Sequence, residues 1–186
     1  MLAPTRLLPY IERFSREILN AAQAPEPFFV NPLPPSDYVA RVGQDAFELV
    51  AAHVSVAGGN AVNGWAIWER PNLYLEAEFT AIWAPPGEPP VYLPIPGHPA
   101  PRMLFLPDPQ RKANGDYVDN KRRSLTKDKR VNDYLRLSEH RVAMLRKAGL
   151  RNSHQVISKT DEMRRIEHDI RDLLSKINDK YGSWGG

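Results

Sequence analysis

Cysteine is absent from this chain of 186 residues. The absence excludes disulfide bonds, thiolate metal sites and a cysteine nucleophile. No apolar run approaches the roughly 20 residues that a membrane-spanning helix needs. The N-terminal segment also lacks the apolar region and the small-residue cleavage site of a secretory signal. We therefore expect a cytoplasmic protein with no thiol chemistry and no membrane partner.

Acidic and basic residues are unevenly distributed along the chain. Residues 1–100 carry five basic and ten acidic side chains, whereas residues 101–186 carry twenty basic and twelve acidic ones. The first part therefore has a net charge of −5 and the second of +8, which together give the formal net charge of +3. The densest basic cluster is Lys121–Arg123, with Lys127, Lys129 and Arg130 close by. This asymmetry is typical of a solvated basic surface, of head-to-tail self-association, or of a site for an acidic partner.

Few aromatic residues accompany this basic cluster, and Tyr117 and Tyr134 are the nearest. Sites for single-stranded nucleic acid usually interleave basic residues with aromatic stacking platforms. Acidic residues at positions 116, 119 and 128 also weaken the positive field there. Nucleic-acid binding by the basic C-terminal half is therefore an alternative to peptide or protein binding, and the less favoured one.

Hydrophobic periodicity and turn residues divide the chain into helices and strands. Helices are predicted over 9–23, from Ser36 or Gly43 to Ala57, over 130–148 and over 160–181, and strands over 61–69, 73–83, 91–93 and 103–106. The proline-rich segment 24–36 is predicted to be an extended connector and 107–129 a polar loop. These elements predict an α+β fold in which N-terminal helices pack on one side of a small antiparallel sheet.

The predicted domain organisation has three parts. Residues 1–109 form the α+β core, residues 110–129 a polar loop, and residues 130–186 a C-terminal helical extension with a tail. In the last helix, apolar residues repeat at intervals of three and four between positions 163 and 177. Such a short heptad seam predicts packing within the chain or, alternatively, a homodimer through the C-terminal helices.

Two tryptophan-rich strands carry the clearest motif. Gly64–Glu69 reads Gly-Trp-Ala-Ile-Trp-Glu, Glu76–Trp83 reads Glu-Ala-Glu-Phe-Thr-Ala-Ile-Trp, and Phe105–Asp108 reads Phe-Leu-Pro-Asp. The pattern, over about residues 43–109, resembles a largely uncharacterised family of small bacterial proteins. That family is similar in layout to papain-like thiol hydrolases, with a motif of the form GWAIWE…EAEFHAVW. The resemblance implies that the core is a truncated hydrolase-like scaffold.

The catalytic residues that the resemblance implies are missing from this chain. The family's Cys position falls at or near Ala46, its His position on Thr80 and its Asp position near Leu93. A thiolate needs an adjacent base, and the base needs a group that orients it. We therefore expect that the protein is not an enzyme. A hydrolase with a non-thiol mechanism is the remaining catalytic alternative.

A peptide-binding groove is the predicted functional site. Its residues lie on the two tryptophan-rich strands: Trp65, Trp68, Tyr74, Glu76, Glu78 and Thr80. Large apolar groups on both faces of a sheet predict either a ligand groove or complete burial of the rings. The resemblance suggests an accessory protein that binds a precursor peptide in ribosomal peptide natural-product biosynthesis. The histidines show no metal-ligand spacing, so we expect no metal and no cofactor.

Overall fold

The computed structural model describes residues 2–21, 24–34, 37–38, 45–94, 102–114, 117–150 and 158–183. In chain order the elements are α1 (Pro9–Leu19), β1 (Phe28–Pro32), α2 (Ala46–Ala57), β2 (Asn60–Arg70), β3 (Tyr74–Ala84), β4 (Val91–Tyr92), β5 (Met103–Pro107), β6 (Lys121–Ser124), α3 (Lys129–Lys147) and α4 (Asp161–Tyr181). The predicted α+β class is confirmed. Over the described ranges, no helix is both long enough and apolar enough to cross a bilayer.

The sheet closes into a barrel instead of forming a plain open sheet. Its strand order is β2-β5-β1-β4-β3, and β3 also pairs with β2, which completes the ring. The prediction of a purely antiparallel sheet is wrong at one place, because β1 and β4 pair in parallel, with Asn31 opposite Val91. Closure removes the free edges that an open sheet of this size would expose.

Strand β1 lies in the segment that was predicted to be only an extended connector. It pairs antiparallel with β5, with Val30 opposite Met103, and so it is an integral strand of the barrel. Prolines lack the backbone donor that an interior strand needs, which is why the sequence argued against a strand here. Phe28, Phe29 and Val30 carry the pairing with β5, and the prolines lie at or outside the ends of that ladder.

Contacts divide the chain into two compact units. The barrel unit comprises Leu2–Trp68 and Ala77–Ala113, and the helical unit comprises Glu69–Glu76 and Asn114–Gly186. Strands β2 and β3 therefore contribute residues to both units.

The core of the barrel unit has an inner and an outer part. The inner cluster draws residues from all five barrel strands: Val30, Ala66, Ile82, Tyr92, Met103 and Phe105. On the outside, Leu49 and Val50 of α2 pack against Ala81 and Leu93. Helix α2 begins where the Asp45 side chain accepts a hydrogen bond from the Glu48 amide. The starts predicted at Ser36 or Gly43 lie outside the described residues.

The helical unit is built around the pair α3 and α4. Its core contains Leu73, Tyr74, Val131, Leu135 and Ile177, with Tyr134 packed against them. The helix boundaries follow from side-chain caps, because Asp128 caps α3 and Thr160 caps α4. The heptad positions Met163, Ile166 and Ile177 are buried within the chain. A homodimer through these helices stays a prediction.

Strand β6 was not predicted, and the expectation of a loop over all of 107–129 is wrong at Lys121–Ser124. β6 pairs with β3 and lies at the end of the strand order. The amide of Leu125, just after β6, donates to the carbonyl of Leu73, just before β3, at 2.8 Å. Three consecutive basic residues hide the alternation by which strands are recognised.

Candidate functional site

The three positions implied by the family resemblance do not converge on one face of β3. Phe79 and Ala81 face α2, because Phe79 contacts Phe47 with ring centroids 5.2 Å apart and Ala81 packs in the outer cluster. Strand side chains alternate between faces. Thr80 therefore shares the opposite, inward face with Ile82 of the inner cluster.

Ala46 and Leu93, in contrast, belong to the outer side. Ala46 lies one helical turn before Leu49 and Val50, so it shares their face of α2. Leu93 packs with the same two residues. Ala46 and Leu93 therefore both lie near Leu49 and Val50 on the outer side of the sheet. Thr80, the third implied position, faces the barrel interior.

The predicted peptide groove does not form an open surface. Trp65 and Tyr74 are fully buried, and Glu76 and Thr80 are only 6% and 8% exposed. Among the six predicted positions, Trp68 is half-buried and Glu78 is exposed. The prediction that this strand face is available to a peptide is wrong for the four buried residues. Thr80 lies on the inward face of β3, and Trp65 packs against Phe79 with ring centroids 5.2 Å apart. Tyr74 is buried in the core of the helical unit, and Glu76 is buried against Arg122.

A hydrogen bond explains two parts of the family-like motif. The Trp65 indole donates through Nε1 to Asp108 Oδ2 at 3.0 Å, so the Trp of the first strand and the Asp of Phe-Leu-Pro-Asp form one buried pair. The Arg111 guanidinium lies 5.5 Å from the Trp65 ring centroid and 3.6 Å from the Asp108 carboxylate. Burial of an indole N–H requires such an acceptor. The motif therefore has a structural role in this chain.

A buried ionic network fixes β6 to β3. Arg122 Nη2 lies 3.0 Å from Glu76 Oε1, and both side chains are less than a tenth exposed. Arg122 Nη1 donates to Asp119 Oδ1 at 3.1 Å, and Asn120 Nδ2 donates to Glu76 Oε1 at 2.8 Å. Burial alone would lower the pKa of Arg122, but the carboxylates of Glu76 and Asp119 outweigh it and raise that pKa above its ordinary value. Arg122 therefore stays charged, and its ion pair with Glu76 links β6 to β3.

A second ionic cluster fixes the start of α3 to the end of α4. Asp128 Oδ1 accepts from the Arg130 amide at 2.9 Å, and Asp128 Oδ2 accepts from Lys180 Nζ at 2.9 Å and from the Tyr181 hydroxyl at 2.8 Å. These hydrogen bonds, that of Arg130 first, lower the pKa of Asp128. The segment that follows β6 is therefore also rigidly held.

Two lysines beside this framework remain available. Lys121 and Lys127 are exposed, and neither forms an ion pair with another described residue. We call Lys121–Lys127, which contains β6 and the turn after it, the β6 segment. Among the described residues, it combines a strand that pairs on one side only with an exposed positive charge. The basic charge of this segment is visible in the sequence, but its strand was not predicted. The one available signal was the opposite charge of Glu76 on β3 and Arg122 on β6, which form an ion pair.

Other kinds of site find less support. In the described part of the chain, no group of three or more His, Asp or Glu residues is placed to hold a metal ion. Comparison of the chain with known protein families, with curated proteins and with solved structures gave no match.

Proposed function

We propose that the protein is a non-catalytic recognition protein whose helical unit binds an acidic peptide or protein segment. The observation that carries this proposal is the β6 segment, where exposed Lys121 lies on a strand that no other described strand covers on its outer side and exposed Lys127 lies in the turn that follows. Positive charge on an exposed surface selects acidic partners and accelerates their association.

Rigidity of the framework supports the proposal. The Arg122 side chain forms ion pairs with Glu76 and Asp119. Asp128 accepts hydrogen bonds from residues of both α3 and α4. A binding surface that is already ordered loses little conformational entropy when a partner binds. The position of Lys121 on β6 and of Lys127 in the following turn is therefore set before binding.

The orientation of Thr80 supports the non-catalytic part. A hydrolase of the family-like layout needs its base next to the nucleophile at the start of the helix. Thr80 shares the inner face of β3 with Ile82, whereas Ala46 lies on the outer side with Leu49. A peptide ligand also fits the accessory role in peptide natural-product biosynthesis that the resemblance suggests.

Binding titrations test this proposal. Fluorescently labelled peptides rich in Glu or rich in Lys, together with duplex and single-stranded DNA, are titrated with the purified protein at about 50 and 150 mM salt. We expect binding of the Glu-rich peptide and none of the Lys-rich one. Binding of DNA that is tighter than peptide binding at both salt concentrations would support the nucleic-acid alternative and contradict the proposal.

Charge reversal identifies the surface that binds. Lys121→Glu should weaken binding of the Glu-rich peptide by about tenfold, since it replaces one attractive pair by a repulsive one. Arg165→Glu is the matched control, because Arg165 is exposed and lies fifteen residues before Lys180, about 22 Å along α4. An equal effect of the two variants would indicate non-specific attraction by net charge and would contradict a site at the β6 segment.

A further inference from the structure

The outer edge of β6 has backbone groups whose direction follows from its pairing with β3. The Leu125 amide points toward β3, because it donates to the Leu73 carbonyl. Backbone groups of successive strand residues point to alternate edges. The N–H and C=O groups of Arg123 therefore point toward β3, and those of Arg122 and Ser124 point outward.

An antiparallel register accounts for the buried pair as well. If β3 is read forward from Leu73 while β6 is read backward from Leu125, Arg122 comes opposite Glu76. These are the two residues whose side chains form the ion pair at 3.0 Å. The alternation also places the Lys121 and Arg123 side chains on the other face of β6 from Arg122.

We propose that the outer edge of β6 accepts an acidic, extended peptide strand by strand addition, and this inference rests on the proposed function. The outward groups of Arg122 and Ser124 supply the backbone hydrogen bonds. The exposed Lys121 side chain faces an acidic side chain of the added strand. Main-chain hydrogen bonds would then supply affinity, and the charge pairs specificity.

Charge selects this occupant over a second copy of the chain. Pairing β6 with β6 of another copy would bring Lys121 and Arg123 opposite basic residues of the same strand, and like charges directly opposite each other are destabilising. Lysines on a strand edge also repel apolar strands and so protect against aggregation. An acidic strand is the partner that Lys121 attracts.

Two kinds of change to the backbone test the inference. The probe is a seven-residue peptide that alternates Glu and Thr, and its control carries N-methyl groups on the amides of one edge. Ser124→Pro removes one outward N–H while the groups that face β3 stay intact, and Pro is tolerated where the N–H of an edge strand faces solvent. Ser124→Ala is the matched control, since it loses only the hydroxyl that bonds Thr126.

Strand addition predicts a specific set of results. The unmodified peptide binds the wild-type protein and Ser124→Ala equally, whereas Ser124→Pro and N-methylation each weaken binding at least about tenfold. If Ser124→Pro fails to fold, as circular dichroism would show, the N-methylated peptide decides with the wild-type protein alone.

Other results overturn the inference in distinguishable ways. Equal binding of the unmodified and N-methylated peptides would refute strand addition and leave the proposed function standing, because the acidic segment would then bind through side chains only. Absence of binding by any acidic peptide would refute the proposed function as well. Lys121 would then serve only to prevent other strands from pairing with the outer edge of β6.

Discussion

The buried pair of Glu76 and Arg122 gives the sharpest prediction about stability. Glu76→Gln keeps the size of the side chain and its oxygen acceptor but removes the charge that faces Arg122. Both side chains are less than a tenth exposed, so the remaining guanidinium cannot recover full hydration. Loss of one partner from such a pair costs about 3–5 kcal/mol. Asp119 still contacts Arg122, and we therefore expect the lower end, about 3 kcal/mol.

Urea unfolding followed by far-ultraviolet circular dichroism at neutral pH measures this cost. The control is Asp172→Asn, which breaks a half-exposed pair with Lys176 at 2.7 Å and should cost less than about 0.5 kcal/mol. The double variant Glu76→Met with Arg122→Met should be more stable than Glu76→Gln alone, since no unpaired arginine stays buried. Equal costs for Glu76→Gln and Asp172→Asn would refute the argument that burial makes this pair essential.

Three further predictions concern other sites. Asp108→Ala should destabilise the protein by about 1–3 kcal/mol, because the buried Trp65 indole N–H loses its acceptor, and Asp108→Asn should cost less; equal costs would contradict this role. The folded-state pKa of Asp128 is lowered, so its contribution is present above the unfolded pKa of about 4 and is lost as pH falls. Acid unfolding should therefore be steeper in the wild type than in Asp128→Asn, and identical slopes would argue against it. The thiol introduced by Ala46→Cys should react with iodoacetamide equally fast with or without Thr80→His, whereas a tenfold acceleration would show that the two positions meet.

Local periodicity was sufficient for most elements of the fold. The alternation of apolar and polar residues in β3 and the heptad spacing in α4 predicted both elements within one or two residues. Such periodic patterns indicate the type of element and its length, although β3 proves to be buried on both faces. Helix α1 was also predicted to begin at Pro9, where a proline fits the first turn.

Closure of the sheet was not predictable from local pattern. β1 has prolines around it, and its partners β4 and β5 are distant in sequence, so only long-range pairing reveals it as a strand. Closure accounts for the burial of Thr80, because it turns that residue of β3 inward. Tyr74 and Glu76 are buried instead by residues of the helical unit, which are also distant in sequence. An alternating strand gives no information on whether its second face meets solvent or a barrel interior.

The candidate site was predictable in its charge but not in its geometry. The excess of basic residues after position 100 was compatible with a solvated surface, with self-association or with an acidic partner, and Lys121–Arg123 marked the densest cluster. Which of these residues is buried depends on β3, since Glu76 takes Arg122 inward and leaves Lys121 outside. A pairing across more than forty residues of chain is not visible in the cluster itself.

Amide hydrogen exchange with the Glu-Thr peptide tests the central claim most directly. If an acidic strand adds to β6, exchange of the Arg122 and Ser124 amides should slow by at least about tenfold at saturating peptide, because each donates outward to the added strand. The Arg123 amide, which faces β3, should change little. Saturating binding that leaves Arg122 and Ser124 unprotected, while amides elsewhere in the chain slow, would contradict recognition at the β6 edge.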